Sequence, residues 1–345
     1  PLSTRAGFSA ALYTGTGANS LDVATGLDMD SGTLGGLVWI KNRDATDSHM
    51  WADTVRGPTK YLSSDSNGGD VTDVDRITDF ISSGVTISND VAVNTNSEKY
   101  AAWSWQTTKK IAPVLGSEVV TTGSFTNTGT VNWTITEPNQ LSVTSVASQQ
   151  SAKAQLDLDA SKIYAVSMNI TVVSDNCSLS FKKLSVTSIP NIVFSTTGIK
   201  SFSIQHSDEL TITTNQTDST TITDISVKEV TNNAVTNHGK PYTSHYNPDL
   251  GFSIVGYEGD GLEGHEIPHH LGVVPELTLF KNRDLAGNWV AQSSLLAIGD
   301  FMKLNLGDAV ANSASMMNIF SDSTVQVDTS TSTNAAADNI IMYNF

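Results

Sequence analysis

The sequence repeats itself. Leu37-Val38-Trp39-Ile40-Lys41-Asn42-Arg43-Asp44 returns as Leu277-Thr278-Leu279-Phe280-Lys281-Asn282-Arg283-Asp284, an offset of 240 residues. Phe80 and Phe320 keep that offset, as do Asn94 and Asn334, and the closing stretches Ala101-Ala102-Trp103-Ser104-Trp105 and Ile341-Met342-Tyr343-Asn344-Phe345. Upstream, Gly7-Phe8-Ser9 matches Gly251-Phe252-Ser253 at an offset of 244, and Tyr13-Thr14-Gly15-Thr16-Gly17 matches Tyr257-Glu258-Gly259-Asp260-Gly261. Four extra residues therefore fall in the second copy between about 261 and 274. A register held over roughly 70 residues, with apolar positions kept and polar ones drifting, marks one fold used twice.

Each copy has the pattern of a β domain. Leu37 to Ile40 and Leu277 to Phe280 are compact apolar runs that end at a polar Lys-Asn-Arg-Asp turn. Ser83-Gly84-Val85-Thr86-Ile87-Ser88 and Thr324-Val325-Gln326-Val327-Asp328 alternate with period two, as half-buried strands do. The last strand of each copy sets Trp103 with Trp105, and Tyr343 with Phe345, on one face. These aromatics are expected to fill the sandwich core, with an exposed glycan-stacking platform and a subunit interface as alternatives.

Between the copies the character changes. From about Val114 to Val230 the chain is dense in Thr, Ser and Val. Candidate strands include Asn132–Thr136 and Leu141–Thr144 about a Pro138-Asn139 turn, Tyr164–Val172, Phe202–Ile204, Leu210–Thr213 and Ile222–Val230. Strands at about 8–12-residue spacing indicate a sandwich or jelly roll. Gln106–Lys110 and Asn237–Tyr242 form polar flanks, the mark of a domain inserted into an exposed connection. The expected architecture is all-β: β-sandwich repeats at 1–112 and 233–345, flanking an inserted jelly-roll domain at 113–232.

The 345 residues allow two or three domains. Only 16% are charged, and the net charge of −16 repels a phosphate backbone. Lys109-Lys110 and Lys182-Lys183 are too small to form a basic stripe, so nucleic-acid binding is not expected. No apolar run approaches the roughly 20 residues of a membrane helix. The single Cys177 excludes an internal disulfide and is expected to be a small buried hydrophobe. Pro1-Leu2-Ser3 lacks Met and any signal-like apolar region, which reads as a processed chain or part of a longer protein.

The Leu-Val-Trp-Ile-Lys-Asn-Arg-Asp motif, the Gly84-Val85-Thr86-Ile87 stretch, the Asn94-Thr95-Asn96 run and the aromatic terminal strand resemble a repeated β domain of tailed-bacteriophage virion proteins. That domain often stands in tandem in tail-fibre-like or other surface proteins. The middle segment, with its closing Asp224-Ile225-Ser226-Val227-Lys228-Glu229-Val230, resembles the carbohydrate-binding-module-like jelly rolls of phage structural proteins. The resemblance implies a virion surface protein without catalytic residues, acting in host attachment through weak multivalent contacts. It further implies a homo-oligomer, a trimer by the habit of such proteins, whose partners are other virion proteins and host surface glycans. A capsid decoration or head-fibre component and a polysaccharide depolymerase are the alternatives.

The residues offer little chemistry. His265-Glu266-Ile267-Pro268-His269 matches the H-E-x-x-H zinc-protease pattern, but that site needs a helix, and Pro268 inside one costs about 3 kcal/mol. A loop or strand edge is expected, with His269 or His270 making a local hydrogen bond; an adventitious transition-metal site is the alternative. Asp65, Asp70, Asp73 and Asp75 flank Asn67-Gly68-Gly69 without EF-hand spacing, and Asp157 with Asp159 precedes a strand. Both are expected to be solvated loops, a structural calcium being the alternative. Trp133 is expected in a core rather than stacked on a sugar. Glycosidase carboxylates must stand roughly 5–10 Å apart, which a sequence does not display, and no G-x-S-x-G nucleophile elbow is present. No catalytic, metal or cofactor residue is therefore assigned.

Overall fold

The structure is a computed structural model. It describes residues 3–5, 7–30, 32, 34–121, 125–127, 134–136, 140–143, 152–159, 162–172, 197–205, 209–214, 220–232, 234–316 and 318–345. Trp133, the Pro138-Asn139 turn, Cys177 and Lys182-Lys183 lie outside the described residues. The described chain is all-β apart from single helical turns such as Val91–Asn94 and Thr331–Asn334. It divides into two compact units, Pro1–Ala112 with Tyr242–Phe345, and Pro113–Pro241.

In the first unit both copies have one topology. The large sheet of the first copy runs Ser3–Arg5, Phe8–Thr14, Lys99–Gln106, Gly36–Asn42, Met50–Asp53, Lys60–Ser63, Val71–Thr72. That of the second runs Tyr242–Asn247, Phe252–Glu258, Asn339–Asn344, Thr278–Asn282, Val290–Gln292, Asp300–Lys303, Ala311–Asn312. A small sheet completes each sandwich: Leu21–Ala24, Gly84–Ile87 and Ile77–Ile81 in one, His265–Pro268, Thr324–Val327 and Ile319–Phe320 in the other. Repeated sequence gives repeated strand order because apolar positions fix which face each strand buries.

The Tyr-x-Gly-x-Gly motif shows why its glycines recur. A Cβ on Gly15 would lie 2.2 Å from the Thr95 carbonyl oxygen, and one on Gly259 would lie 2.2 Å from that of Ala335. Asn94 and Asn334 clamp the same turns, accepting the backbone N–H of Thr16 at 2.7 Å and of Asp260 at 3.0 Å.

The core of the first sandwich contains Val38, Ile40, Met50, Phe80, Val85, Ile87, Tyr100 and Ala102. The other face of its large sheet is covered too. Leu37, Trp51 and Leu62 join Phe252, Ile254, Leu279, Trp289, Ile341 and Tyr343 of the second copy in one buried cluster, edged by Trp39, Trp105 and Phe345. The apolar run Leu37 to Ile40 thus has no polar side because both its faces are buried. This corrects the reading of the terminal aromatics. Trp105, Tyr343 and Phe345 do not fill their own sandwiches, whose cores take Tyr100, Ala102 and their counterparts. They pack between the copies, Trp105 edge-on to Phe345 at 5.7 Å. Trp103 stands on the same outer face, 4.9 Å from Trp39. The polar stretch after the first copy is likewise no free linker: Lys109–Ile111 pairs with Tyr242–Asn247, so it adds a strand to the second copy's sheet.

The second unit contains two antiparallel sheets. One runs Thr134–Thr136, Gln140–Val143, Thr220–Val230, Ile163–Val172, Gly198–Gln205, with Leu115–Glu118 also on Thr220–Val230. The other joins Thr126–Asn127, Ala152–Asp157 and Glu209–Thr214. Tyr164, Val166, Met168 and Ile170 are buried at period two. Ile222, Ile225 and Val227 are buried as well. Their uneven spacing is absorbed at Asp224, whose φ of 53° marks a register shift in the ladder.

Candidate functional site

The Lys-Asn-Arg-Asp motif is a turn-builder in both copies. Asn42 Oδ1 accepts the N–H groups of Asp44 and Ala45 at 3.0 and 3.2 Å, and Asn282 Oδ1 accepts those of Asp284 and Leu285 at 3.0 and 3.1 Å. Asp44 and Asp284 then hold the N–H of Lys99 and Asn339 at 2.8 and 2.6 Å. Lys281 is fully buried, and its ammonium donates to the carbonyls of Asn282 and Gly287, both at 2.9 Å. Burial pulls it down to about 8.

The arginines of the motif diverge. Arg43 is exposed, whereas Arg283 reaches the first copy and binds Asp70 Oδ2 through Nη2 at 2.8 Å and Nε at 2.9 Å. Asp70 also binds Arg56 Nη1 at 2.9 Å, and Arg56 Nε binds Asp53 Oδ2 at 2.6 Å. Tyr343 Oη completes the chain on Asp53 Oδ2 at 2.7 Å. Burial pushes the Asp53 carboxyl up, but the Arg56 charge and the Tyr343 hydrogen bond outweigh it and hold it below the usual range. The acidic loop of the sequence is therefore a clasp between copies. Two of its other aspartates also have protein partners: Asp65 accepts the His49 N–H at 3.0 Å, and Asp73 pairs with Arg76 at 3.1 Å. Asp159, exposed before its strand, presents its backbone N–H to the Tyr164 hydroxyl at 3.2 Å.

The His265–His269 segment is a strand edge. His265–Pro268 pairs with Thr324–Val327, so His265 and Glu266 point to opposite faces. His265 Nδ1 lies 3.0 Å from Asn334 Oδ1, and His269 Nε2 lies 3.1 Å from the Ser321 carbonyl. Burial lowers His269 and His270 below the ordinary imidazole value. Strand geometry separates the groups that a zinc protease would converge.

What sequence reasoning missed is a cleft where the copies face one another. It encloses about 800 Å³. Equivalent positions of the two copies line it: Trp39 and Leu279, Trp51 and Ala291, Ser64 and Leu304, Asp65 and Asn305, Trp105 and Phe345. His49, Met302 and Leu306 also contribute. The position that carries His49 in the first copy carries Trp289 in the second. Trp289 is fully buried, with its indole N–H on the Ser63 carbonyl at 2.9 Å, so that side of the interface is closed. On the His49 side a smaller ring leaves space. His49 Nδ1 accepts the Trp39 indole N–H at 3.1 Å, and burial lowers its pKa. Trp51 Nε1, buried at the cleft wall, has no hydrogen-bond partner among the described residues. The site is thus concave and mostly apolar, with His49, Ser64, Asp65 and Asn305 among its polar groups, which is the usual make-up of a ligand site. The Trp105 signal was visible in the sequence, but it read as the core of one sandwich.

These features define an all-β protein with a duplicated sandwich, a second compact β unit, and an aromatic cleft between the duplicates. The chain belongs to the family described as "Domain of unknown function (DUF7483)", whose model matches residues 3–237 and again 166–345. The first match takes in the first sandwich copy and nearly all of the middle domain, and the second takes in the latter part of the middle domain and the second copy. No curated protein sequence matches the chain. Among solved structures, the N-terminal CBM22-1-CBM22-2 tandem domain from Paenibacillus barcinonensis Xyn10C is similar at 10% identity and a TM-score of 0.25, over 67% of this chain and 96% of that one.

Proposed function

We propose that the protein is a non-catalytic structural and adhesion protein of a bacteriophage particle, and that it contacts host surface glycans at the cleft between its sandwich copies. The cleft is the observation that carries the glycan reading. Trp39 and Trp105 offer flat apolar faces to the C–H side of a sugar ring, while His49, Asp65 and Asn305 supply hydrogen bonds to hydroxyls. The phage assignment rests on the resemblance of the repeated motif to virion surface domains. Attachment then comes from several weak sites on one particle, which gain strength through effective concentration.

Titrating the full chain with fragments of host surface polysaccharide tests this reading through tryptophan fluorescence. A saturable change that Trp39→Ala abolishes is expected, with no new reducing ends. Release of reducing ends, lost on mutating one carboxylate, would make the protein a depolymerase. Neither binding nor cleavage would move it to a capsid-decoration role among virion proteins.

A further inference from the structure

The duplication leaves one docking element and one docking face unused. In the first copy the turn Asp53–Arg56 reaches onto the second. Thr54 Oγ1 lies 2.7 Å from His245 Nδ1, Asp53 and Arg56 bind Tyr343, and Val55 packs over Gly256. The equivalent turn of the second copy is Ser293–Leu296, followed by Ile298. It stays on its own copy, where the Ile298 carbonyl accepts Asn312 Nδ2 at 3.3 Å, and its leucine and isoleucine face outward: Leu295 is 84% exposed and Ile298 63%. The receiving face has a counterpart as well. Gly256 and Tyr343 correspond to Leu12 and Trp103 of the first copy, and Leu12 is 57% exposed on the outer face of its sheet.

The chemistry of the two sets is matched. The docked turn carries Asp53 and Arg56, and its receiving face carries the Tyr343 hydroxyl and His245. The undocked turn replaces those ions with Ser293 and Leu296, and the unused face replaces the hydroxyl with an indole. A polar turn meets a polar face within the chain, and an apolar turn and an apolar face remain outside. We propose that a second copy of this chain joins them: the Ser293–Ile298 turn of one molecule docks on the Leu12–Trp103 face of the next. Leu12 stands where Gly256 admits Val55, so the leucines meet side by side rather than knob into hole. Because the two surfaces differ, the contact is heterologous, and it builds a closed ring or an open chain of molecules. Large leucines exposed together are otherwise an aggregation liability.

Sedimentation velocity of the full chain across the micromolar range tests the proposal. The wild type is expected to assemble beyond a monomer, and Leu295→Asp and Leu12→Asp each to remain monomeric. An equimolar mixture of the two variants retains one good turn and one good face, so it should give a species of twice the monomer mass and nothing larger. Leu295→Met and Leu12→Met should still assemble, which separates lost contact from lost folding. A monomeric wild type, an aspartate variant that assembles like the wild type, or a mixture that stays monomeric would each overturn the proposal.

Discussion

The hydroxyl of Tyr343 donates a 2.7 Å hydrogen bond to Oδ2 of Asp53, across 290 residues of sequence. Both side chains are fully buried, and the same carboxylate oxygen receives Arg56 Nε. The bond ties together the two sandwich copies, which pack as one compact unit. Tyr343→Phe is expected to cost about 1–3 kcal/mol, the price of a buried acceptor losing a donor. Asp53→Ala is expected to cost more, about 3–5 kcal/mol, because Arg56 is left buried with one counter-ion fewer. Urea denaturation should show both losses in a single transition, with no separate unfolding of one copy.

The buried titrating groups set the direction of the pH response. His245 is lowered to about 4, first by burial and then by the nearby Lys110, against an ordinary value of 6.5. The unfolded chain takes up that proton first, so stability falls as pH drops from 6.5 toward 4 and levels off below. His49, His269 and His270 act in the same direction. Asp53 is depressed below its ordinary 3.8, so its contribution is present above that value and is lost as pH falls through the folded one. Denaturation midpoints should be flat near neutrality and decline below 6.5. His245→Asn should remove a share of that decline, of the order of 3 kcal/mol at most.

Lys109–Ile111 and Tyr242–Asn247 are antiparallel neighbours, with Ile111 opposite Ser244. The connection between them therefore needs only a tight turn. Replacing Pro113–Pro241 with a short Asn-Gly linker is expected to leave a soluble protein that unfolds cooperatively, followed by calorimetry. Failure of that protein to fold would mean that the paired sandwiches depend on the middle domain.

Gly259 has no room for a side chain beside the Ala335 carbonyl, and Gly15 none beside that of Thr95. Gly259→Ala and Gly15→Ala are each expected to destabilise by about 1–3 kcal/mol or more, as overpacking does. Gly307, with nothing within 4 Å of an added Cβ, is the control. Gly307→Ala should leave the melting temperature within a degree or so, since surface changes of this kind stay near ±0.5 kcal/mol.

The sequence by itself determined the β class, the duplication and the change of character between the copies, because those follow from period-two patterning and a constant register. It also held the sign that the large sheets are buried on both faces: Leu37-Val38-Trp39-Ile40 has no polar position. It did not say what covers the second face. Trp105 and Tyr343 have the same apolar look whether they fill their own sandwich or meet the other copy, and only the tertiary structure sends them between the copies. The same holds for Asp70. Its carboxylate in a Gly-rich loop looks solvated until Arg56 and Arg283, far apart in the chain, converge on it. The cleft was illegible for a further reason. It is the space left because His49 stands where its counterpart is Trp289, and empty volume between two surfaces belongs to their packing and not to either stretch of sequence.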